Sequence, residues 1–239
     1  MNTYVLSDIH GNERRWRSVM AQIDLHPEDT LYILGDVVDR HPWGIRLLQE
    51  IMAMPNVRML LGNHEYMMLQ ALGHPHVTDE IIDQVDPERA LALWYHNGGR
   101  VTHIAYNLLS QHQQAELLEY LKNLPLNLDV EVQGRRYKLV HGAPVEMFVP
   151  SSRYPDLLKF AVWKRLDPAE IRSWEYTLIF GHTPTEHYQH DNPLALWYGR
   201  YGIGIDCGCG YPEEPPDGIV GRLACLRLED GAVFYSDED

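Results

Sequence analysis

Five short apolar runs, each followed at once by polar side chains, are the feature that most constrains how this chain folds. Their apolar and β-branched content and their shortness predict buried strands rather than helices. A buried strand is commonly followed by a turn residue, whereas these five are followed by Asp, Asn or His. The runs, with the residues that follow them, are TYVLSDIHG, TLYILGDVVDR, NVRMLLGNHE, RRYKLVHGA and YTLIFGHT.

Amphipathic helical patterns separate the first three runs. Apolar residues recur at helical spacing at Trp16, Val19, Met20 and Ile23, and again at Ile45, Leu48 and Met52. Asp36 follows Asp8 by 28 residues and Asn63 follows Asp36 by 27, which is the length of a strand–helix–strand unit. We therefore expect parallel strands joined by right-handed crossover helices.

The carboxyl ends of parallel strands lie at one edge of a sheet, where ligands bind. The side chains expected at that edge are Asp8, His10, Asp36, Asn63, His141 and His182. This mixed oxygen and nitrogen set suits Mn, Fe or Zn better than Mg or Ca. It also exceeds what one ion needs. If Asp36 bridges, the set divides between two divalent ions, with open positions for water and substrate.

The rest of the chain is predicted to contain a helical segment and then further strands. Residues 66–128 carry helical patterns, two of them with N-caps at Asp86 and Ser110, and we interpret them as a helical insert. After His182, the runs YGIGID, GRLACLRL and GAVFYSD are typical of strands between Gly- and Pro-rich turns. We assign them to a mixed or antiparallel second sheet. We expect one domain, 1–239, that contains the insert.

These motifs resemble those of the phosphoprotein phosphatase family within the calcineurin-like metallophosphoesterases. That family's pattern is G-D-x-H-G, G-D-x-x-D-R-G, G-N-H-E, H-G-[GA] and G-H-T, in that order. The corresponding segments here are SDIHG (7–11), GDVVDRH (35–41), GNHE (62–65), HGA (141–143) and GHT (181–183). WYHNGGR and GIDCGC…GRLACLRL are also similar to segments of the bacterial members. The resemblance implies an α/β metallophosphoesterase fold, with two mixed β-sheets packed as a sandwich and flanked by helices.

The resemblance also implies a role for each matching residue. Asp8, His10 and Asp36 would hold a first metal ion, and Asp36, Asn63, His141 and His182 a second. His64 would be the general acid, oriented by Asp39. Arg40 would bind the substrate phosphate. Trp163-Lys164-Arg165 resembles a W-x-R segment of bacterial and phage members, which would give Arg165 a second phosphate contact.

The residue types agree with these roles on chemical grounds. An alkoxide leaving group needs a proton, and His beside a carboxylate is the usual donor. Arg binds phosphate oxygens in a bidentate manner that Lys does not. For Asp39 the alternative is an N-cap of the helix that follows. For Glu65 we favour a position in the first turn of a helix over metal binding.

Three positions depart from the family pattern. Ser7 and His41 replace glycines, and Leu61 stands where many members carry an arginine just before G-N-H-E. Phosphate binding would therefore depend on Arg40 and Arg165.

The resemblance implies a two-metal phosphomonoesterase that acts on phosphorylated protein side chains, Ser/Thr and also Tyr, by attack of a metal-bridging hydroxide. Mn²⁺ is the favoured ion, with Fe or Zn as alternatives. The G-N-H-E form favours this substrate, since the related symmetrical diadenosine tetraphosphate hydrolases tend to end the motif in Asp. Such a hydrolase is the alternative function. A third alternative, a non-catalytic scaffold, predicts eroded ligands, and all six are present.

Composition limits the partners and the compartment. The net charge of −14 disfavours binding to nucleic acid or to an anionic membrane surface. No signal peptide and no run of 18 apolar residues is visible. Three cysteines, an odd and small number, favour a reducing cytoplasm. Cys207 and Cys209 form C-x-C, which we interpret as two small residues in a Gly-rich loop rather than a soft metal pair. The oligomeric state stays open.

Overall fold

The computed structural model describes residues 1–77, 86–172, 175–212, 214 and 218–237 of the chain. These residues form ten strands: β1 (Thr3–Leu6), β2 (Thr30–Ile33), β3 (Val57–Met59), β4 (Asn127–Val132), β5 (Arg135–Val140), β6 (Thr177–Phe180), β7 (Trp197–Tyr198), β8 (Gly202–Gly204), β9 (Ala224–Arg227) and β10 (Val233–Tyr235). Seven α-helices also lie within the described residues: α1 (Glu13–Ile23), α2 (Gly44–Met52), α3 (Asn63–Ala71), α4 (Pro87–His96), α5 (Arg100–Asn107), α6 (Gln111–Lys122) and α7 (Leu157–Trp163).

The strands form two mixed five-stranded sheets. The first has the order β10-β9-β1-β2-β3, and β1, β2 and β3 run parallel as the 28- and 27-residue spacings predict. The second has the order β4-β5-β6-β8-β7, with β5, β6 and β8 parallel and the two edge strands antiparallel to their neighbours. The predicted architecture of two mixed sheets is confirmed.

The C-terminal strands do not all join the second sheet, so that part of the prediction is wrong. Of the three predicted strands only β8 does so, whereas β9 pairs antiparallel with β1 and β10 pairs antiparallel with β9. The parallel units β1–β3 extend the first sheet in one direction and leave the other edge of β1 unpaired. An open edge of a buried strand has unpaired N–H and C=O groups, and β9 satisfies them.

The two sheets pack face to face through one apolar cluster. Its members come from the first sheet and the segments that follow its strands (Val5, Leu34, Leu60, Ala224, Leu226) and from the second sheet (Tyr137, Leu139, Ile179), all of them buried. A second cluster lies between the first sheet and the helices, and a third lies between the second sheet and α7. This sandwich brings the carboxyl ends of β1, β2, β3, β5 and β6 to one rim.

Helix α1 shows how local sequence places a crossover. The side chain of Asn12 caps the helix by accepting from the Arg15 N–H at 3.1 Å. Trp16, Val19 and Ile23 are buried on one face, as the periodicity predicts. The helix ends where Asp24 adopts a left-handed conformation with φ of 43°.

Four helices occupy the region assigned to the insert. Asp86 and Ser110 cap α4 and α6 with their side chains, as predicted. Helix α3 begins earlier than expected, at Asn63, directly after the first sheet, and α5 was not predicted. Residues 78–85 of the insert lie outside the described residues. That the whole chain forms one domain remains a prediction. None of the helices in the described segments is long and apolar enough to cross a membrane.

Candidate metal centre

The six residues predicted as metal ligands meet at the rim of the two sheets. All are buried, with side-chain exposures between 0% and 9%. Asp36 lies at the middle of the group. Its Oδ2 is 3.4 Å from His141 Nε2 and 3.8 Å from His10 Nε2. Asp8 Oδ1 lies 3.9 Å from the same nitrogen of His10.

Left-handed backbone conformations are concentrated among the predicted site residues. Nine non-glycine residues in the described segments have a φ between 43° and 73°, and six of them are predicted site residues: Asp8, His10, Asp36, Asp39, Arg40 and His182. Left-handed conformations of this kind cost free energy and cluster at functional sites. Here they occur in the segments that follow β1, β2 and β6, where the chain turns at the rim.

Three imidazoles are oriented by backbone carbonyl oxygens. His10 Nδ1 lies 3.2 Å from the Val38 carbonyl, His141 Nδ1 lies 2.7 Å from the Leu34 carbonyl, and His182 Nε2 lies 3.2 Å from the Trp163 carbonyl. An N–H donated to a carbonyl leaves the other ring nitrogen unprotonated and directed into the site. This arrangement is the usual one for histidines that bind metals.

Asn63 connects two of these imidazoles. Its Oδ1 lies 2.8 Å from His141 Nε2 and 2.8 Å from His182 Nδ1. The amide oxygen and the two inward ring nitrogens therefore converge on one point. Asn63 is the first residue of α3, so the junction of β3 and that helix determines its position.

The donor set fits divalent cations. Two groups of described residues have ligand atoms within 4.8 Å of one another, His10/Asp36/His64 and Asp36/His141/His182, and both contain Asp36. Burial raises the pKa of Asp36 to about 7 and that of Asp8 to about 6. Burial also lowers the pKa of His10, His141 and His182. Neutral imidazoles and buried carboxylates are stabilised together when a cation binds between them.

His64 differs from the other histidines in its anchor. Its Nδ1 lies 2.7 Å from Asp39 Oδ2, and both side chains are buried. Its Nε2 faces the site, 3.9 Å from Asp36 Oδ2 and 3.4 Å from Arg40 Nη2. Burial lowers the pKa of His64 to about 4 and raises that of Asp39 to about 7, because it disfavours both charged forms. Asp39 is not a helix N-cap, since α2 begins at Gly44 and its N-cap is Trp43.

Arg40, in the segment after β2, and Arg165, in the segment after α7, line the same cleft. The cleft has a volume of about 140 Å³, and its lining includes Asp8, Asp36, Asn63, His64, His182 and both arginines. Within the described segments, neither guanidinium has a carboxylate within ion-pair distance, whereas the neighbouring Lys164 pairs with Glu170 at 2.7 Å. Two exposed, unpaired guanidinium groups beside the ligand cluster form a site for an anion.

A larger cavity of about 470 Å³ adjoins the cleft. Arg40 and Asn97 line both, and the larger cavity is otherwise lined by His41, His96, Gly98, Gly210 and Pro212. Its walls therefore come from the insert, from the segment after β2 and from the segment after β8. Substrate bound at Arg40 has room to extend in this direction.

One carboxyl group in the cleft was not predicted. Asp206 is buried, lines the cleft and accepts from the Gly208 N–H at 3.0 Å. Burial raises its pKa to about 8, and the charge of Asp8 adds to this effect. The sequence contains the signal for it. Asp206 follows the apolar run of β8 in the same way that Asp8 follows β1, and the run YGIGID ends in that residue.

Glu65 holds the backbone on which the centre is built, on the side away from the cleft. It lies in the first turn of α3, as predicted, and is completely buried. Its carboxylate accepts from four backbone N–H groups: Asp36 at 2.8 Å, Val37 at 2.8 Å, Val38 at 3.2 Å and Gly62 at 3.2 Å. One side chain thus holds the segment after β2 against the start of α3, which places Asp36 beside His64.

The two cysteines of the C-x-C motif lie in different cores. Cys207 packs between the two sheets, and Cys209 packs in the cluster between the first sheet and the helices. Cys209 Sγ donates to the Ile9 carbonyl at 3.3 Å. The candidate metal-binding groups found in the described residues contain no cysteine.

We expect Glu65→Ala to lower the free energy of unfolding of the metal-free protein by about 3 kcal/mol or more, since an unpaired buried donor costs about 1–3 kcal/mol. Chemical denaturation measures this change. Glu65→Gln, which keeps an acceptor oxygen, should lose less. Glu116→Ala removes an exposed glutamate of α6 and serves as the control. A Glu65→Ala variant within 0.5 kcal/mol of the control would contradict this role.

Comparison with known proteins agrees with the geometry. The chain is 25% identical to the symmetrical bis(5'-nucleosyl)-tetraphosphatase of Cronobacter sakazakii over 98% of this chain and 93% of that protein. Its fold is similar to a protein serine/threonine phosphatase from Saccharomyces cerevisiae, with a TM-score of 0.61, 12% identity and coverage of 99% and 80% of the two chains. It is also similar to a metallophosphoesterase from Sphaerobacter thermophilus, with a TM-score of 0.56, 19% identity and coverage of 99% and 87%.

These two structural likenesses are at low identity and show the fold alone. The model of the calcineurin-like phosphoesterase family matches residues 1–206, which is most of the chain and includes every predicted ligand. The chain therefore belongs to the calcineurin-like phosphoesterase family.

Proposed function

We propose that this protein hydrolyses phosphoric esters or anhydrides at a centre of two divalent metal ions. The observation that carries the proposal is the shared position of Asp36, which belongs to both candidate ligand groups. His64 of the first group is assigned below to proton transfer, and Asp8, whose Oδ1 lies 3.9 Å from His10 Nε2, would take its place beside His10 and Asp36. Asp36, Asn63, His141 and His182 would hold the other ion. The mixed oxygen and nitrogen donors favour Mn, with Fe or Zn as alternatives.

When bound, such ions would polarise a phosphoryl oxygen and lower the pKa of a water molecule. The chain supplies the remaining functions. Its carbonyl-anchored imidazoles are kept neutral and directed inward, and its buried walls limit access of bulk water. These properties support a hydrolytic centre that needs no side-chain nucleophile.

His64 is proposed as the proton donor to the leaving oxygen. Its anchor is a carboxylate, whereas the anchors of His10, His141 and His182 are neutral carbonyls. Burial lowers the pKa of His64, and the carboxylate at Nδ1 opposes that effect by stabilising the protonated ring, which can then donate from Nε2. An anionic phosphate group beside Nε2 would favour that protonated form further. Asp39 is therefore proposed to orient His64.

Arg40 and Arg165 are proposed to bind the phosphate group. Both line the cleft, and Arg40 Nη2 is 3.4 Å from the nitrogen proposed to donate the proton. A guanidinium at this position can bind a non-bridging oxygen while His64 faces the leaving oxygen. The two arginines thereby orient the phosphate between the proton donor and the metal ligands.

A dinucleoside tetraphosphate is the first candidate substrate. The Cronobacter relative, which carries that substrate in its name, aligns with nearly the whole chain. The adjoining cavity of about 470 Å³ supports the same choice, because a nucleoside attached to a phosphate at Arg40 would need a pocket there. His41 and His96 offer aromatic rings and Asn97 offers an amide for contacts with a base and a ribose.

Phosphorylated protein side chains are the second candidate. The G-N-H-E form of residues 62–65 favours them, but the structure gives Glu65 another reason to be a glutamate. Its carboxylate contacts backbone N–H groups behind the centre and does not line the cleft. The exposure of Arg40 and Arg165 at the cleft mouth is compatible with a protein substrate.

We also propose that the protein works in a reducing compartment such as the cytoplasm. Its three cysteines are free thiols and all are buried.

Replacing His64 by Ala should lower kcat for a phosphoserine peptide by roughly 10²–10⁴, the usual contribution of a general acid. The loss should be much smaller for p-nitrophenyl phosphate, whose leaving group needs no proton. Steady-state kinetics of the Mn²⁺-reconstituted variant measures both. An equal loss on the two substrates would remove His64 from the proposed role.

The substrate class is tested by kcat/KM of the Mn²⁺-reconstituted protein. We expect diadenosine tetraphosphate to exceed phosphoserine, phosphothreonine and phosphotyrosine peptides by roughly tenfold or more. His96→Ala, which alters only the adjoining cavity, should lower kcat/KM for the dinucleotide by about tenfold and leave p-nitrophenyl phosphate unchanged, since a nucleoside contact is worth about 1–2 kcal/mol. The matched control is His112→Ala, an exposed histidine on α6. Peptides that exceed the dinucleotide by tenfold would instead establish the second candidate.

A further inference from the structure

The helical insert contacts the proposed proton-donor pair through Trp94. This residue lies on α4 and is fully buried. Its indole N–H is directed at the Asp39 carboxylate, 2.9 Å from Oδ2 and 3.1 Å from Oδ1. The same Oδ2 lies 2.7 Å from His64 Nδ1. Indole, carboxylate and imidazole therefore form a continuous chain that ends in the cleft.

A second residue of the insert fixes the backbone of Asp39. The Asp39 N–H donates to Thr102 Oγ1 on α5 at 2.9 Å, and Thr102 is buried. Asp39 has a φ of 73°, a conformation that costs free energy and persists only where neighbouring contacts support it. Trp94 and Thr102 are contacts of this kind, and both belong to the insert rather than to the sheets.

The turn between α4 and α5 also reaches the phosphate-binding side. The Gly98 carbonyl accepts from the Arg40 N–H at 3.2 Å. Gly99 packs so closely on the indole of Trp94 that a Cβ there would overlap the ring. The His103 ring also packs on the indole, with its centroid 5.3 Å from that of Trp94. The motif WYHNGG (94–99) thus holds the indole in place and contacts both Asp39 and Arg40.

We propose that Trp94 is a positioning residue for proton transfer, which acts through Asp39 on His64. A buried carboxylate that accepts from both an indole and an imidazole is restricted to one orientation. Removing the indole N–H would leave Asp39 free to rotate, and His64 would lose its alignment with the leaving oxygen. This inference rests on the proposed role of His64. It assigns to the insert a function in the chemical step.

The test uses Trp94→Phe, which keeps an aromatic ring and removes the N–H. We expect kcat for a phosphoserine peptide to fall roughly tenfold, within the contribution of a general acid, with KM changed less than twofold. Turnover of p-nitrophenyl phosphate should fall less than twofold. The matched control is Trp16→Phe, because Trp16 is also fully buried and its indole N–H also donates to a carboxylate, that of Glu50, away from the site. Trp16→Phe should change turnover of the peptide and of p-nitrophenyl phosphate by the same factor.

A double-mutant cycle with His64→Ala makes the test specific. If Trp94 acts through His64, Trp94→Phe should cause no further loss on the peptide in that background. Multiplicative losses, or equal losses on both substrates, would show that Trp94 supports only the fold and would overturn the inference. If His64→Ala lowers turnover of both substrates by the same factor, His64 is not the proton donor, and the inference is overturned with that proposal.

Thr102→Val provides a second route if Trp94→Phe does not fold. It keeps the shape of the side chain and removes the acceptor for the Asp39 N–H. It should lower peptide turnover more than p-nitrophenyl phosphate turnover, in the same direction as Trp94→Phe but by less. The absence of any difference between the two substrates in a folded Thr102→Val variant would contradict the positioning role.

Discussion

The Asp36 carboxylate is the interaction on which the rest of this site depends. One of its oxygens accepts from the backbone N–H of His64 at 2.9 Å and so fixes the start of α3. The other faces His10, His64 and His141 at 3.4–3.9 Å. A buried carboxylate among imidazoles is stable only if its charge is compensated. Several of the surrounding contacts hold the Asp36 carboxylate in place. The donor atoms around it fit a divalent cation, which would compensate its negative charge.

Two layers of the fold hold the centre in different ways. The residues predicted as metal ligands follow the ends of the sheet strands. Backbone carbonyls orient three of their imidazoles, which keeps those rings neutral. The segments outside the sheets provide the charged or polar supports: Glu65 from α3 holds the segment after β2, and Trp94 holds Asp39. Glu65 thus supports the proposed metal ligand Asp36, and Trp94 supports Asp39 of the proposed proton-donor pair.

Sequence patterns predicted much of the scaffold and the residues that meet at its rim, whereas the roles of those residues remain predictions. The spacing of β1, β2 and β3 predicted their parallel order, and the polar residues after five strands predicted the rim, because periodicity and strand ends are local properties. The sheet membership of β9 and the roles of Trp94 and Glu65 depend on contacts between distant segments. The Glu65 carboxylate meets N–H groups 27–29 residues away, and Trp94 meets an aspartate 55 residues away. Asp206 follows β8 in the same strand-end pattern, although it was not among the predicted residues.

Anomalous diffraction from crystals grown with Mn²⁺ tests the central claim most directly, because it locates ions without relying on turnover. The account predicts two anomalous peaks per chain that share Asp36 as a ligand, one beside His10 and the other beside His141 and His182. Asp36→Asn should weaken both peaks together. A single peak, or two peaks of which neither contacts Asp36, would contradict a two-ion centre built around that carboxylate.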